Sequence, residues 1–182
     1  MSDRLLLDAM LGKLATYLRM CGYDTTYVLD DRDGGRGEGS GRDGASDRDG
    51  HGSDERNEKE SRGTDDPGDD VIADWARESG RTLLTRDTDL AARVAESVLL
   101  TSRDVGDQLR EVRAAGYDFS LANPPVRCAT CNGCLNAIDS DGQIPEYAPD
   151  PAETDCWRCP DCGQVFWKGS HWDDVRERLD GL

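Results

Sequence analysis

Two hydrophobic periods alternate along the chain. Arg4-Leu5-Leu6-Leu7-Asp8 is a short apolar run suited to a buried strand, and Leu11, Leu14, Leu18 and Cys21 then recur at helical spacing until Gly22 stops the helix. Asp24-Thr25-Thr26-Tyr27-Val28 is a second β-prone run, which completes a strand–helix–strand unit. Beyond a long polar tract, Val71, Ile72, Trp75 and Ala76 predict a helix closed by Gly80, and Thr82-Leu83-Leu84-Thr85 predicts a strand. Leu90, Ala91 and Val94 predict a helix, residues 97–101 a strand, and Val105, Leu109 and Val112 a last helix ending near Gly116. Such alternation implies an α/β fold with a mostly parallel sheet and helices on both faces. In sheets of that kind ligands sit beyond the carboxyl ends of the strands.

The polar tract, residues 31–66, interrupts this pattern. It has a single alanine, no Leu, Ile, Val or aromatic residue, and is made of Gly, Asp, Arg, Ser and Glu. Such a segment cannot bury enough apolar surface to offset its ordering entropy, so it reads as a disordered insertion, with His51 an incidental polar residue. Inserting a loop of this length costs only about 2 kcal/mol over a tight turn. The expected organisation is therefore one sheet domain from residues 1–30 and 67–122, the insertion at 31–66, and a cysteine-bearing module with a C-terminal helix at 123–182.

Charge makes any single acid weak evidence. The 182 residues carry 38 Asp+Glu against 22 Lys+Arg, a net charge of −16, and Lys occurs only at Lys13, Lys59 and Lys168. Asp-rich, lysine-poor composition resembles that of halophilic archaeal cytoplasmic proteins, in which high salt screens self-repulsion. In ordinary salt the same charge argues against a nucleic-acid partner; in molar salt that argument weakens. The N-terminus MSDRLLLDAM lacks a long apolar segment and no run approaches a membrane span, so a soluble, cytoplasmic protein without a membrane partner is expected. Seven cysteines in a reducing compartment point to metal or redox chemistry before disulfides.

Three acids nevertheless fall where a ligand would. Asp8 follows the first strand, Asp87 the strand LLT, and Asp104 the strand 97–101, while Asp69 and Asp70 open a helix that can face the same edge. Each alone also reads as a helix N-cap, worth about 1 kcal/mol, and Asp89 shares that reading. As a set they read differently. Carboxylates brought within about 4 Å repel by roughly 4 kcal/mol at an effective dielectric near 20, so a cluster calls for a hard cation, Mg²⁺ or Mn²⁺ above all. With no evident nucleophilic Ser or Cys, metal-assisted hydrolysis is the chemistry such a site suits.

The C-terminal third has its own signature. Cys128-Ala129-Thr130-Cys131 and Cys159-Pro160-Asp161-Cys162 are two CxxC knuckles separated by an acidic, proline-containing loop, the spacing of a zinc ribbon. Cys134 and Cys156 extend each knuckle to three cysteines. Gly133 and Gly163, following the second cysteine of each pair, favour Cys128, Cys131, Cys159 and Cys162 as ligands of one structural zinc. Cys134 and Cys156 are then spare thiols, open to a disulfide or a second metal, and Cys21 is a buried apolar residue.

The residues Asp8-Ala9-Met10-Leu11-Gly12-Lys13-Leu14-Ala15, Leu18-Arg19 and Gly22-Tyr23-Asp24, followed by Leu84-Thr85-Arg86-Asp87, resemble the PIN-like ribonuclease domain of the Mut-seven C-terminal family. The resemblance spans residues 5–28 and 69–172 and leaves the polar tract outside. It implies a metal-dependent nuclease fold followed by a zinc ribbon whose ligands are the four cysteines named above. Asp8 and Asp87 match the motif acids, Asp70 and Asp104 match by position, and Asp89 is an auxiliary candidate. Asp69, Asp70 and Asp74 compete for the second acid. Lys13, Arg19 and Arg86 are candidate phosphate contacts on RNA, and also read as ordinary surface cations. The tail Gln164-Val165-Phe166-Trp167-Lys168-Gly169-Ser170-His171-Trp172 matches the family's aromatic ending. Its rings either pack the ribbon onto the sheet or, with Lys168 and His171, meet splayed bases of single-stranded RNA.

The expected function is therefore hydrolysis of RNA phosphodiester bonds with Mg²⁺ or Mn²⁺. A haloacid-dehalogenase-like phosphatase would want a second acid at Met10, and a Toprim-like site would pair Asp87 with Asp89 but lacks a glutamate after an earlier strand. The remaining rival is a non-catalytic zinc-ribbon RNA-binding or adaptor protein with a relic nuclease domain.

Overall fold

A computed structural model describes residues 4–30 and 67–182. The insertion expected at 31–66, with His51, lies outside the described residues. β1 (Arg4–Leu7) passes through a single 3-10 turn (Ala9–Leu11) into α1 (Gly12–Met20) and on to β2 (Asp24–Tyr27). There follow α2 (Asp69–Ser79), β3 (Thr82–Thr85), α3 (Thr88–Arg93), β4 (Ser97–Leu99) and α4 (Val105–Ala114). The four strands form one parallel sheet in the order β2-β1-β3-β4.

The strand period of two sorts the leucines onto two faces. Leu5 and Leu7 of β1 and Leu84 of β3 pack with Leu14 and Leu18 of α1 and with Leu109 and Val112 of α4. Leu6 and Leu83 pack on the opposite face with Ile72, Ala73 and Ala76 of α2 and Leu90 of α3. Each fully buried leucine contributes about 2 kcal/mol. The α/β architecture read from the sequence is thus the one observed. One strand is shorter than expected: it ends at Leu99 rather than 101, because Thr101 and Ser102 turn their N–H groups and hydroxyls to the Glu111 carboxylate of α4. Those four donors outweigh the burial that would raise its pKa and hold Glu111 below the usual carboxylate range.

The strand order fixes where a ligand belongs. β1 connects through α1 to β2 on one side, whereas β3 connects through α3 to β4 on the other, and the two helices lie on opposite faces. The connections diverge between β1 and β3. In open α/β sheets the crevice outside the carboxyl ends of such a strand pair is the binding position.

Residues beyond α4 build a second, antiparallel sheet of β5 (Asn136–Ala137), β6 (Cys156–Arg158) and β7 (Val165–Trp167), followed by α5 (Ser170–Asp180). Val175 and Leu179 of α5 return to the core between α1 and α4, and Arg178 donates to the Tyr17 hydroxyl at 3.0 Å. No helix among the described residues is long and apolar enough to cross a membrane.

A buried polar joint ties the two sheets together. Arg19, 3% exposed, donates from Nε to the Thr25 carbonyl at 2.9 Å and from Nη1 to the Thr130 carbonyl at 2.9 Å, and pairs through Nη2 with Asp30. Asn132 accepts from the Thr25 N–H at 2.9 Å and donates to Asp24 Oδ1 at 2.7 Å. β2 is an edge strand, and these two side chains occupy both of its backbone groups at Thr25, which would otherwise invite pairing with another chain. Asp24 also meets Arg81 at 2.9 Å and Arg127 at 3.8 Å. Partial burial raises its pKa, but the bonds from Asn132 and Arg81 and the charges of Arg81 and Arg127 prevail and lower it.

Candidate active site and metal centre

Asp8 and Asp87 stand at the carboxyl ends of β1 and β3, the divergent pair. Asp8 is 6% exposed and is the one buried carboxylate among the described residues. Its Oδ1 accepts from the Ala9 N–H at 2.6 Å and its Oδ2 from the Thr85 hydroxyl at 2.7 Å. The same Thr85 oxygen accepts from the Asp87 N–H at 2.9 Å. Asp87 Oδ1 caps α3 through the N–H groups of Asp89 and Leu90 at 2.8 and 2.9 Å. A single buried hydroxyl therefore orients one acid and anchors the backbone of the other. The sequence reading passed over Thr85, because threonine at a strand end is unremarkable as a β-former.

The other acids occupy different places. Asp104 is exposed and caps α4 through Gly106 and Asp107. Asp70 is 89% exposed and ion-paired with Arg93, and Asp74 pairs with Arg77. Asp89 lies exposed in the first turn of α3, where its charge favours the helix dipole. No three carboxylates among the described residues come within 4.8 Å of one another.

A hard divalent ion fits the Asp8–Asp87 edge by its donor set. Asp8 has no cationic side-chain partner among the described residues, and a buried, unpaired carboxylate is a costly arrangement that a bound cation relieves. Its two hydrogen bonds leave lone pairs free, as does the uncommitted Oδ2 of Asp87.

The candidate cations divide. Lys13 is exposed on the first turn of α1. Arg86, beside Asp87, reaches Met10 Sδ at 3.9 Å and keeps a buried Nε with no partner. Arg19 faces protein carbonyls and Asp30 in the joint described above, so its guanidinium is already committed to protein acceptors.

The four expected zinc ligands converge. The sulfurs of Cys128, Cys131, Cys159 and Cys162 all lie within 4.8 Å of one another, with Cys128–Cys162 at 3.6 Å and Cys131–Cys159 at 3.5 Å. Four sulfurs at about 2.3 Å from a common tetrahedral ion lie about 3.8 Å apart, so the cluster has the dimensions for zinc and is too open for disulfides. Burial raises Cys128, and burial together with the neighbouring thiols raises Cys131. Cys162 falls below the ordinary thiol value, because hydrogen bonds from the Gln164 backbone and its neighbour thiols outweigh burial. Cys134 is exposed and Cys156 buried, and neither joins the cluster. Cys21 packs against the core, and burial pushes its pKa up to about 12.

The knuckle turns correct one detail. The left-handed position falls one residue after the second cysteine in both: Asn132, with φ 68°, and Gly163, with φ 75°. Gly133 is therefore not the counterpart of Gly163. It is glycine because a Cβ there would lie 2.2 Å from Asp161 Oδ2 and 2.9 Å from the Cys159 sulfur.

Taken together, these features define an α/β protein with two acids at its strand divergence and a four-cysteine cluster, able to hold a metal ion, in a module joined to β2. More narrowly, the chain belongs to the Mut7-C RNAse domain family, whose model matches residues 3–38 and 52–179, most of its length. Membership points to a nuclease-type enzyme acting on RNA. The match also reaches into both ends of the polar tract, leaving only residues 39–51 outside, where the sequence reading had excluded all of 31–66. No curated protein and no solved structure matches the chain significantly.

Proposed function

We propose that this protein is a metal-dependent, PIN-like ribonuclease that hydrolyses phosphodiester bonds of single-stranded RNA at the β1–β3 edge. The observation that carries the reading is the Thr85-bridged pair: a buried acid without a cationic partner, set beside a second acid at the divergence of the sheet. Asp8 and Asp87 would hold Mg²⁺ or Mn²⁺, with Asp104, Asp89 and one of Asp69, Asp70 and Asp74 as outer candidates. When bound, such an ion lowers the pKa of water and neutralises charge on a phosphate. Thr85 keeps the Asp8 carboxylate in one orientation. Arg86, beside Asp87, and the exposed Lys13 offer donors to the phosphate. One structural zinc in the cysteine cluster would hold the ribbon against β2 through Asn132. The acidic, lysine-poor surface supports a halophilic setting, where salt screens the repulsion of RNA.

A non-catalytic RNA-binding or adaptor protein is the second reading. It is favoured by the dispersal of Asp70 and Asp104 away from a common point. The deciding experiment is cleavage of single-stranded RNA with Mn²⁺ in multimolar KCl. Asp8→Asn and Asp87→Asn should each abolish it, and a surface change such as Asp139→Asn should not. Undiminished cleavage by both edge variants would leave the adaptor as the better account.

A further inference from the structure

We infer that the cleft between α1, the end of β2 and the β7–α5 corner is a subsite for one unpaired nucleobase of an RNA strand. The inference rests on the nuclease reading and specifies the form of its substrate. The cleft encloses about 670 Å³, within the range of small-molecule sites. The residues that line it include the aromatics Tyr27, Phe166, Trp167 and Trp172, together with His171 and Arg127. Phe166 and Trp172 pair with no other ring among the described residues. Two glycines shape its walls: a Cβ on Gly12 would come within 3.2 Å of the Tyr27 ring, and one on Gly169 within 2.8 Å of Trp167 Nε1.

The cleft is also coupled to the acid edge. The Tyr27 hydroxyl donates to the Ala9 carbonyl at 2.6 Å, and the Ala9 N–H donates to Asp8. A base held against Tyr27 is therefore one residue removed from the buried acid, and its phosphate can run toward the β1–β3 edge.

Charge decides why the occupant is a base rather than a phosphate. The chain carries −16, Arg19 is committed to protein acceptors, and Arg127 is engaged by the Asn132 carbonyl and Asp24. The lining offers aromatic residues rather than free cations. Stacking accepts any base and is not screened by salt, whereas phosphate contacts weaken steeply with it. Single-strand affinity should therefore hold or rise between about 0.2 and 2 M KCl, as screening removes the long-range repulsion.

The test is fluorescence anisotropy of labelled hexa-adenylate with the full zinc-loaded chain carrying Asp87→Asn, which prevents cleavage. Adding Phe166→Leu, which keeps apolar volume but removes the ring, or Gly12→Ala, which displaces Tyr27, should weaken binding about tenfold. Duplex RNA of equal length should not compete. Thermal melts and zinc content identify variants that fold, and His171→Ala, on an exposed residue, supplies a third probe if either wall variant does not. Unchanged affinity in the folded variants, equal competition by duplex, or a steep loss of affinity with salt would overturn the inference. Wild-type cleavage that survives the cleft variants with unchanged KM would overturn it too, while leaving the nuclease reading in place. Binding through the cleft by a wild-type chain that cleaves nothing would do the reverse.

Discussion

Thr85 carries more of the proposed site than its side chain suggests. Thr85→Val keeps the shape of a fully buried residue but removes the donor to Asp8 and the acceptor for the Asp87 N–H. We expect metal affinity at the edge to fall about 10–100-fold, with the fold retained and Thr85→Ser restoring binding. Titration calorimetry with Mn²⁺ measures it, and unchanged affinity in Thr85→Val would remove the residue from the site. Asp8→Asn and Asp87→Asn should weaken metal binding while leaving the metal-free protein as stable or more so, since each removes like-charge repulsion. The two acids were legible in the sequence because each follows an apolar run. Thr85, Asn132 and the true reason for Gly133 were not, because each depends on partners distant in the chain: Asp8 lies 77 residues from Thr85, and Thr25 lies 107 from Asn132.

At the scale of elements, the strands and helices of the parallel sheet were readable from their two periods, with a misjudged end after Leu99, where Glu111 diverts the backbone, and at Val94, which is extended rather than helical; the short strands of the cysteine module left no such period. Cys131→Ser should lose zinc and unfold the ribbon, whereas Cys134→Ser and Cys156→Ser should keep full metal content, as elemental analysis would show. The joint has its own test. Asn132→Gly keeps the left-handed turn but removes the partner of the Thr25 N–H and one of the partners of Asp24, and should cost about 2 kcal/mol in denaturant melts. A loss no larger than a few tenths would show that the knuckle docks by apolar contact alone. The family of the C-terminal helix contacts was hidden from sequence, because Val175 and Leu179 have the spacing of any amphipathic helix and say nothing of which core they enter.

For the whole molecule, pH and chain length are the accessible variables. The folded-state pKa of Asp24 lies below its unfolded value, so its stabilisation is present above the unfolded pKa and is lost as pH falls through the folded one. Acid melts should therefore show Asp24→Asn to be less stable than the parent at neutral pH, with the gap closing as pH drops below about 4. A gap that stays constant down to acid pH would deny Asp24 that role. Deleting residues 39–51, the part outside the family match, should leave the melting temperature unchanged in matched high salt.

The buried guanidinium at the joint also bears on how such a protein can change over generations. Arg19 sits in the first helix of one sheet, yet a main acceptor is a carbonyl 111 residues away in the cysteine knuckle. A recombination event that exchanged the module for a foreign one would leave Nη1 of this buried guanidinium without its acceptor unless the newcomer presented a carbonyl at the place of Thr130. Such an exchange therefore costs more than a swap of two independent cassettes, because the module and the sheet share a buried hydrogen bond.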